Sequence, residues 1–70
     1  IDERQAKVLR ILDKSGMTAF EVAVRLFPKA INDDTQRFLA ISEAVAHLDY
    51  GESEGKIAVE MKDGIEFYRR

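Results

Sequence analysis

The sequence predicts an α+β fold, a winged helix-turn-helix in which three helices precede a two-stranded β-hairpin wing. Three observations predict it. Apolar residues recur at helical spacing in three segments, turn residues separate these segments, and two apolar runs flank an Asp-Gly turn near the carboxyl end. Seventy residues with 46% apolar content fit one small domain without linkers or repeats, so we assign residues 1–70 to a single domain.

The first helix is predicted between Asp2 and Lys14. Its apolar residues share one arc at about 100° per residue: Ile1, Val8, Leu9, Ile11 and Leu12. Ser15-Gly16 ends this helix, because glycine readily adopts the left-handed conformation found after a helix. Met17 then has room for a minimal strand before the second helix.

The second helix is predicted from Ala19 to about Phe27. Thr18 stands three residues before Glu21, the spacing of a capping box at a helix start. Pro28 ends the helix, because the residue before a proline is disfavoured in the helical region.

The third helix is predicted to begin near Thr35, after the candidate N-caps of Asn32-Asp33-Asp34, and to fade by Gly55. Its helical spacing predicts four buried apolar side chains: Phe38, Ile41, Val45 and Leu48.

The hairpin has two possible registers. A two-residue Asp63-Gly64 turn would pair Val59 with Tyr68 and spread the apolar residues over both faces. A three-residue loop at residues 62–64 would pair Val59 with Phe67 and collect the apolar residues on one face: Ile57, Val59, Met61, Ile65 and Phe67. We predict the three-residue loop, which leaves Tyr68 on the outer face.

Composition excludes several classes of protein. The chain has no cysteine and one histidine, so neither a disulfide framework nor a self-contained zinc site can be built. No apolar run reaches the roughly 20 residues of a membrane span, and no signal segment opens the chain, so we expect a cytoplasmic protein without membrane contact. The chain begins at Ile1, and its methionines are Met17 and Met61. We therefore expect a fragment of a longer protein.

The third helix is acidic, which argues against the DNA-binding role that a winged helix suggests. Residues 33–54 contain six acids and one arginine, a local charge of −5, and the whole chain carries −2. DNA affinity depends on neutralising phosphates with Lys and Arg. We expect no specific binding to duplex DNA.

Three runs carry a family resemblance: TAFEVAVRLFP at 18–28, RFLAISEAVAHLDYGESEGKI at 37–57 and DGIEFYR at 63–69. They resemble the winged-helix domain appended to metallo-β-lactamase-fold hydrolases. The resemblance covers nearly the whole chain. Its most specific pieces are Leu26-Phe27-Pro28, Ser42-Glu43, His47-Leu48 and Glu54-Gly55. The chain departs from the family pattern at Gly51, where a leucine is usual, and at Phe20 and Val24, where polar residues are usual. We expect the third helix to bend or end at Gly51, since glycine costs about 1 kcal/mol relative to alanine in a helix.

The resemblance implies an accessory domain of a metal-dependent hydrolase, one that packs beside the catalytic domain and shapes its active-site mouth or supports subunit contacts. Zinc would belong to the catalytic domain of the parent, with no cofactor in this chain. The partner would be that domain or a second subunit, and RNA could bind only through the parent. Two alternatives remain at this stage: the DNA-binding domain of a transcription regulator and a free-standing protein-interaction module.

Helix two offers a candidate interdomain interface. Phe20 and Val24 stand four residues apart, on a helix face next to the one predicted to face the core. Phe27 lies between these two faces. An exposed apolar patch of this kind marks an interaction surface. Alternatively, the loop at residues 28–32, which carries Ala30 and Ile31, folds back over them.

Further candidates are weaker. His47 and Tyr50 lie on one side of helix three, where both could face a substrate. Alternatively, His47 is a structural hydrogen-bond donor and Tyr50 covers the surface. A basic stripe on helix one could meet an acidic surface or RNA, or be a solvated flank: Arg4, Lys7, Arg10 and Lys14. Tyr68, Arg69 and Arg70 combine an aromatic ring with cations, a weak indication of nucleic-acid binding.

Overall fold

The computed structural model describes residues 3–70, except for the side chain of Ile31. Its elements are α1 (Glu3–Ile11), α2 (Ala19–Leu26), a short 3₁₀ helix (Ala30–Asn32), α3 (Asp34–Ser53), β1 (Ala58–Lys62) and β2 (Ile65–Arg69). The predicted α+β class, three helices followed by a two-stranded antiparallel hairpin, is confirmed. The predicted place of Ile1 and Asp2 in the first helix lies outside the described residues. No helix among residues 3–70 combines the length and apolarity needed to cross a membrane.

Side-chain caps fix the starts of α2 and α3. The Glu21 amide donates to Thr18 Oγ1 at 3.2 Å, and the Thr18 amide donates to Glu21 Oε1 at 2.9 Å, which confirms the predicted capping box. Asp33 Oδ1 accepts from the Gln36 amide at 2.8 Å at the start of α3. These bonds satisfy amides that have no partner within their own helix. The helix α2 ends at Leu26, with Phe27 as its C-cap just before Pro28.

The core lies between the three helices and the base of the hairpin. Its buried residues are Val8, Leu12, Met17, Val22, Ala23, Leu26, Ala40, Ala44, Leu48, Ile57 and Tyr68. The helices α2 and α3 make the most extensive helix contact. Alanines occupy both sides of it, so the two backbones can approach closely.

The buried face of α3 differs from the predicted one. Leu48 is buried and Ile41 and Val45 are partly buried, but Phe38 is 69% exposed, so its prediction was wrong. The buried stripe comprises Ala40, Ala44, Leu48 and Gly51. Small residues form this stripe because α3 packs close to its neighbours, and Phe38 points away from that contact.

The hairpin adopts the register that the sequence argument rejected. Val59 pairs with Tyr68, and Asp63-Gly64 forms a two-residue turn with φ of 53° and 79°. Positive φ at both central residues is typical of a type I′ turn, whose twist matches that of the strands. Collecting apolar residues on one face would not bury them at the tip of the hairpin, because the helices do not reach it and Met61 and Ile65 are both exposed.

Met17 adds a one-residue third strand, as predicted. Its amide donates to the Tyr68 carbonyl at 2.8 Å, and the Tyr68 amide donates back to the Met17 carbonyl at 2.7 Å. Tyr68 is only 4% exposed, so its predicted position on the outer face was wrong. The side chain faces the helices because the observed register places it opposite Val59.

Gly51 neither ends α3 nor leaves a gap in the core. The helix continues to Ser53, and a Cβ atom added at Gly51 would lie 2.3 Å from Ile57 Cδ1. The Gly51 carbonyl accepts from the amides of Lys56 at 2.9 Å and Ile57 at 3.3 Å. The bare backbone therefore lets the chain turn back after α3 and place the Ile57 side chain directly against the helix.

Candidate functional site

A cleft of about 360 Å³ lies between α1 and the C-terminal end of α3. We call it the α1–α3 cleft, and its lining residues are Gln5, Ala6, Leu9, His47, Tyr50, Glu54 and Lys56. His47 and Tyr50, which the sequence predicted to share one side of α3, are brought together in this cleft. Their proposed role toward a substrate stays a prediction.

Gln5 selects one tautomer of the neutral His47 ring. Gln5 Nε2 donates to the His47 carbonyl oxygen at 3.1 Å, which fixes the orientation of the amide. Gln5 Oε1 therefore faces His47 Nδ1, at 2.9 Å. Since an amide oxygen can only accept, Nδ1 carries the proton and Nε2 of the neutral ring keeps its lone pair. Within residues 3–70, no group bonds Nε2, and it is not buried.

Gln5 is the functional residue that the sequence reasoning missed. It is 7% exposed and is the one buried polar residue among residues 3–70. Gln5, Val8 and Leu12 follow the i, i+3, i+7 spacing of one helix face. A glutamine at that position requires a polar partner inside the fold, which is the signal that could have identified it.

The walls of the cleft are apolar and its rim is charged. Ala6 and Leu9 contribute methyl groups from α1, and the Tyr50 ring is exposed beside them. Glu54 and Lys56 lie on the turn that connects α3 to β1, and both are exposed. The cleft is therefore lined by apolar side chains, one aromatic ring, the His47 imidazole and one charge of each sign.

The candidate interface on helix two divides into two places. Phe20 is 47% exposed and Val24 is partly buried, and both line a shallow groove with Met17, Glu21 and Arg25. Phe27 lies elsewhere: its ring packs under the Arg4 guanidinium, 5.1 Å from the ring centre. The three residues therefore do not form one patch.

The described part of the loop after α2 folds toward Phe27 rather than toward Phe20. The Ala30 amide donates to the Phe27 carbonyl at 3.0 Å, and Pro28, Lys29 and Ala30 line a groove with Phe27. None of these loop residues lines the groove of Phe20 and Val24. The alternative that Ile31 covers this groove lies outside the described residues, because the Ile31 side chain is not described.

The basic stripe of helix one is partly neutralised. Arg4, Lys7 and Arg10 line an open groove with Glu3 and Phe27, among others. Arg4 forms an ion pair with Glu43 of α3. Lys14 lies beyond the end of α1 and does not line that groove.

The C-terminal candidate for nucleic-acid binding loses its aromatic ring. Arg69 and Arg70 are exposed, but the Tyr68 ring is buried against the core and offers no face for base stacking. Burial raises the pKa of the Tyr68 hydroxyl above its ordinary value of 10.0. Nearby negative charges raise this pKa further: Glu66, Asp49 and Glu52.

Metal-binding side chains do not converge in the described part of the chain. Among residues 3–70, no three His, Asp or Glu side chains lie close enough to hold one metal ion.

Comparison with known proteins gives two matches. The family model for the metallo-beta-lactamase-like, C-terminal domain matches residues 5–70. A Bacillus subtilis (strain 168) protein named "Probable metallo-hydrolase YqjP" is 43% identical over 54 residues, which cover 77% of this chain and 16% of that protein. The chain thus spans a small part of this relative's length. No solved structure matches the chain.

Proposed function

The chain belongs to the metallo-beta-lactamase-like, C-terminal domain family, and we propose that it serves as an accessory domain of a metal-dependent hydrolase with the metallo-β-lactamase fold. The family match over residues 5–70 carries this proposal, because it associates nearly the whole chain with the end of such proteins. The relative in Bacillus subtilis, named a metallo-hydrolase, supports the same reading.

The proposed role is architectural. The domain packs beside the catalytic domain, where it shapes the mouth of the active site or supports contacts between subunits. The hydrolase chemistry and its zinc ion belong to the catalytic domain, and a zinc ion there would activate a water molecule for attack.

We also propose that the fold is a winged helix. The element order, the short bridge at Met17 and the hairpin at residues 58–69 support this reading. The acidic α3 occupies the position of a recognition helix. Residues 33–54, which comprise α3 and its two capping residues, carry a charge of −5 that opposes contact with phosphates. A protein surface is therefore the better partner for α3.

The groove of Phe20 and Val24 is the proposed contact with the catalytic domain. Phe20 is exposed although it is a large apolar side chain, and burial at an interface would remove it from water. Burying one such side chain contributes about 2 kcal/mol, enough to influence a weak interdomain contact.

The test is a double substitution in the full-length hydrolase, Phe20→Ser with Val24→Ser. We expect the domain to separate from the catalytic domain, with faster proteolysis between them and altered kcat/KM. In the 70-residue chain alone, the free energy of unfolding should change by only about 1 kcal/mol. The control is Met61→Ser with Ile65→Ser, which removes two exposed apolar side chains from the hairpin.

Two results would contradict the proposal. One is unchanged proteolysis and kinetics in the Phe20 and Val24 variant, and the other is an equal effect from the hairpin control. A loss of several kcal/mol in the isolated chain would instead mean that both side chains belong to this domain's own core.

A further inference from the structure

We propose that the α1–α3 cleft receives an arginine side chain from the surface of a protein partner. The partner to which we commit is the catalytic domain of the parent hydrolase. Its identity rests on the proposed function, whereas the chemistry of the cleft rests on the residues that line it.

The polar side chains of His47 and Glu54 offer hydrogen-bond acceptors, so they favour a partner group that donates hydrogen bonds. The Gln5 amide holds the proton of His47 on Nδ1, so Nε2 can only accept while the ring is neutral. Glu54 brings a carboxylate to the same cleft. A guanidinium group offers five N–H donors in a planar fork, so it can bond an imidazole nitrogen and a carboxylate at once.

The apolar lining suits the rest of an arginine side chain. Ala6 and Leu9 provide a surface for its methylene stem, which gains by leaving water while the charged end remains solvated. The exposed Tyr50 ring offers a face on which a guanidinium can stack. Lysine fits less well, because its compact ammonium is strongly hydrated and does not stack.

The surrounding charge favours a cation over an anion. Three acids lie near the C-terminal end of α3, namely Asp49, Glu52 and Glu54, and Glu54 lines the cleft. Lys56 is the cation among the lining residues, and it opposes an incoming arginine. Neutralising Lys56 should therefore strengthen arginine binding, whereas neutralising Glu54 should weaken it.

The experiment titrates the isotope-labelled 70-residue chain with N-acetyl-arginine-N-methylamide, observed by NMR. We expect saturable shifts of the Leu9 methyl groups and of the His47 and Tyr50 rings at concentrations up to roughly 100 mM, the range in which one isolated contact saturates. N-acetyl-citrulline-N-methylamide, which has a similar shape without the charge, should cause no saturable shift.

Matched variants then locate the contact. Glu54→Gln should weaken arginine binding about 3-fold, because Glu54 is exposed and water screens its interaction with the guanidinium. Glu52→Gln is the control, since Glu52 is also exposed near the end of α3 but does not line the cleft. Its effect should stay below about 2-fold. Lys56→Gln should strengthen binding.

The proposal is overturned if the citrulline compound, or N-acetyl-lysine-N-methylamide titrated in the same way, binds as well as the arginine compound, or if no saturable shift occurs. It is also overturned if the chain forms a dimer through Glu54, because a second copy would then occupy the cleft. If the titration fails while the domain still docks on its catalytic domain, only the cleft assignment is lost. If arginine binds to a domain that does not dock, the proposed function is lost instead.

Discussion

The two ends of the hairpin contain similar residues but differ in their surroundings. At the base, Ile57 and Tyr68 are buried against the helices, and Met17 adds its bridge to β2. At the tip, Met61 is 62% exposed and Ile65 is 51% exposed. Alternating apolar residues therefore identify the two strands, but they do not show how far the core extends along them. The extent of the core along the hairpin depends on how far the helices reach beside it.

The largest difference between base and tip should appear on truncation of one side chain at each end. Tyr68→Ala should lower the free energy of unfolding by about 4 kcal/mol, since it removes a buried aromatic ring. Met61→Ala should change it by less than about 0.5 kcal/mol. Urea denaturation of both variants provides the measurement, and equal losses would remove the distinction between the two ends.

Gly51→Leu introduces a side chain where α3 packs against the base of the hairpin. Because a Cβ atom at this position would lie 2.3 Å from Ile57 Cδ1, we expect a loss of about 3 kcal/mol despite the better helix propensity of leucine. Adding Ile57→Ala should restore part of the loss, since it clears the space that leucine requires. A double-mutant cycle without coupling between the two positions would refute this account.

Gln5→Leu tests the polar contact that neighbours the base. The change leaves His47 Nδ1 and the His47 carbonyl without their partner, so we expect a loss of about 2 kcal/mol. Nitrogen NMR shifts of the His47 ring should also show a mixture of the two neutral tautomers. Gln36→Leu, at an exposed glutamine, is the control and should cost less than about 0.5 kcal/mol. A single retained tautomer in the Gln5 variant would contradict the proposed role of Gln5.

The smallest effect concerns alkaline pH. The pKa of Tyr68 is raised in the folded chain, first by burial, so its hydroxyl stabilises the fold below its unfolded pKa of about 10. This contribution is lost as pH rises through the higher folded pKa. Tyr68→Phe should therefore flatten the fall in melting temperature above about pH 10. Tyr50→Phe, at the exposed tyrosine, should retain the fall, and an unchanged profile in the Tyr68 variant would exclude the hydroxyl as its cause.

Local chemistry predicted from the sequence was largely right. The capping box of Thr18 and Glu21 depends on residues three positions apart, and Pro28 acts on the residue before it, so both could be predicted from spacing alone. The bridge at Met17 followed from the short interval between two helices.

Features that depend on distant residues were missed. Gln5 and His47 are separated by 42 positions, and nothing in the spacing of either residue identifies the other. The buried stripe of α3 runs through alanines because α2 approaches closely, so Phe38 could not be placed without that packing. The hairpin register was wrong because a gain in apolar contact was assumed at a tip that the helices do not reach.

The bridge between Met17 and Tyr68 also sets an order of events during folding. It joins residues 51 positions apart, and the Arg70 amide closes a second long-range contact by donating to the Asp13 carbonyl at 3.2 Å. The helix caps and the type I′ turn can form locally, but this bridge requires closure of a long loop. During synthesis, Met17 can therefore form its bridge only after β2 has left the ribosome, although α1 and α2 emerge much earlier.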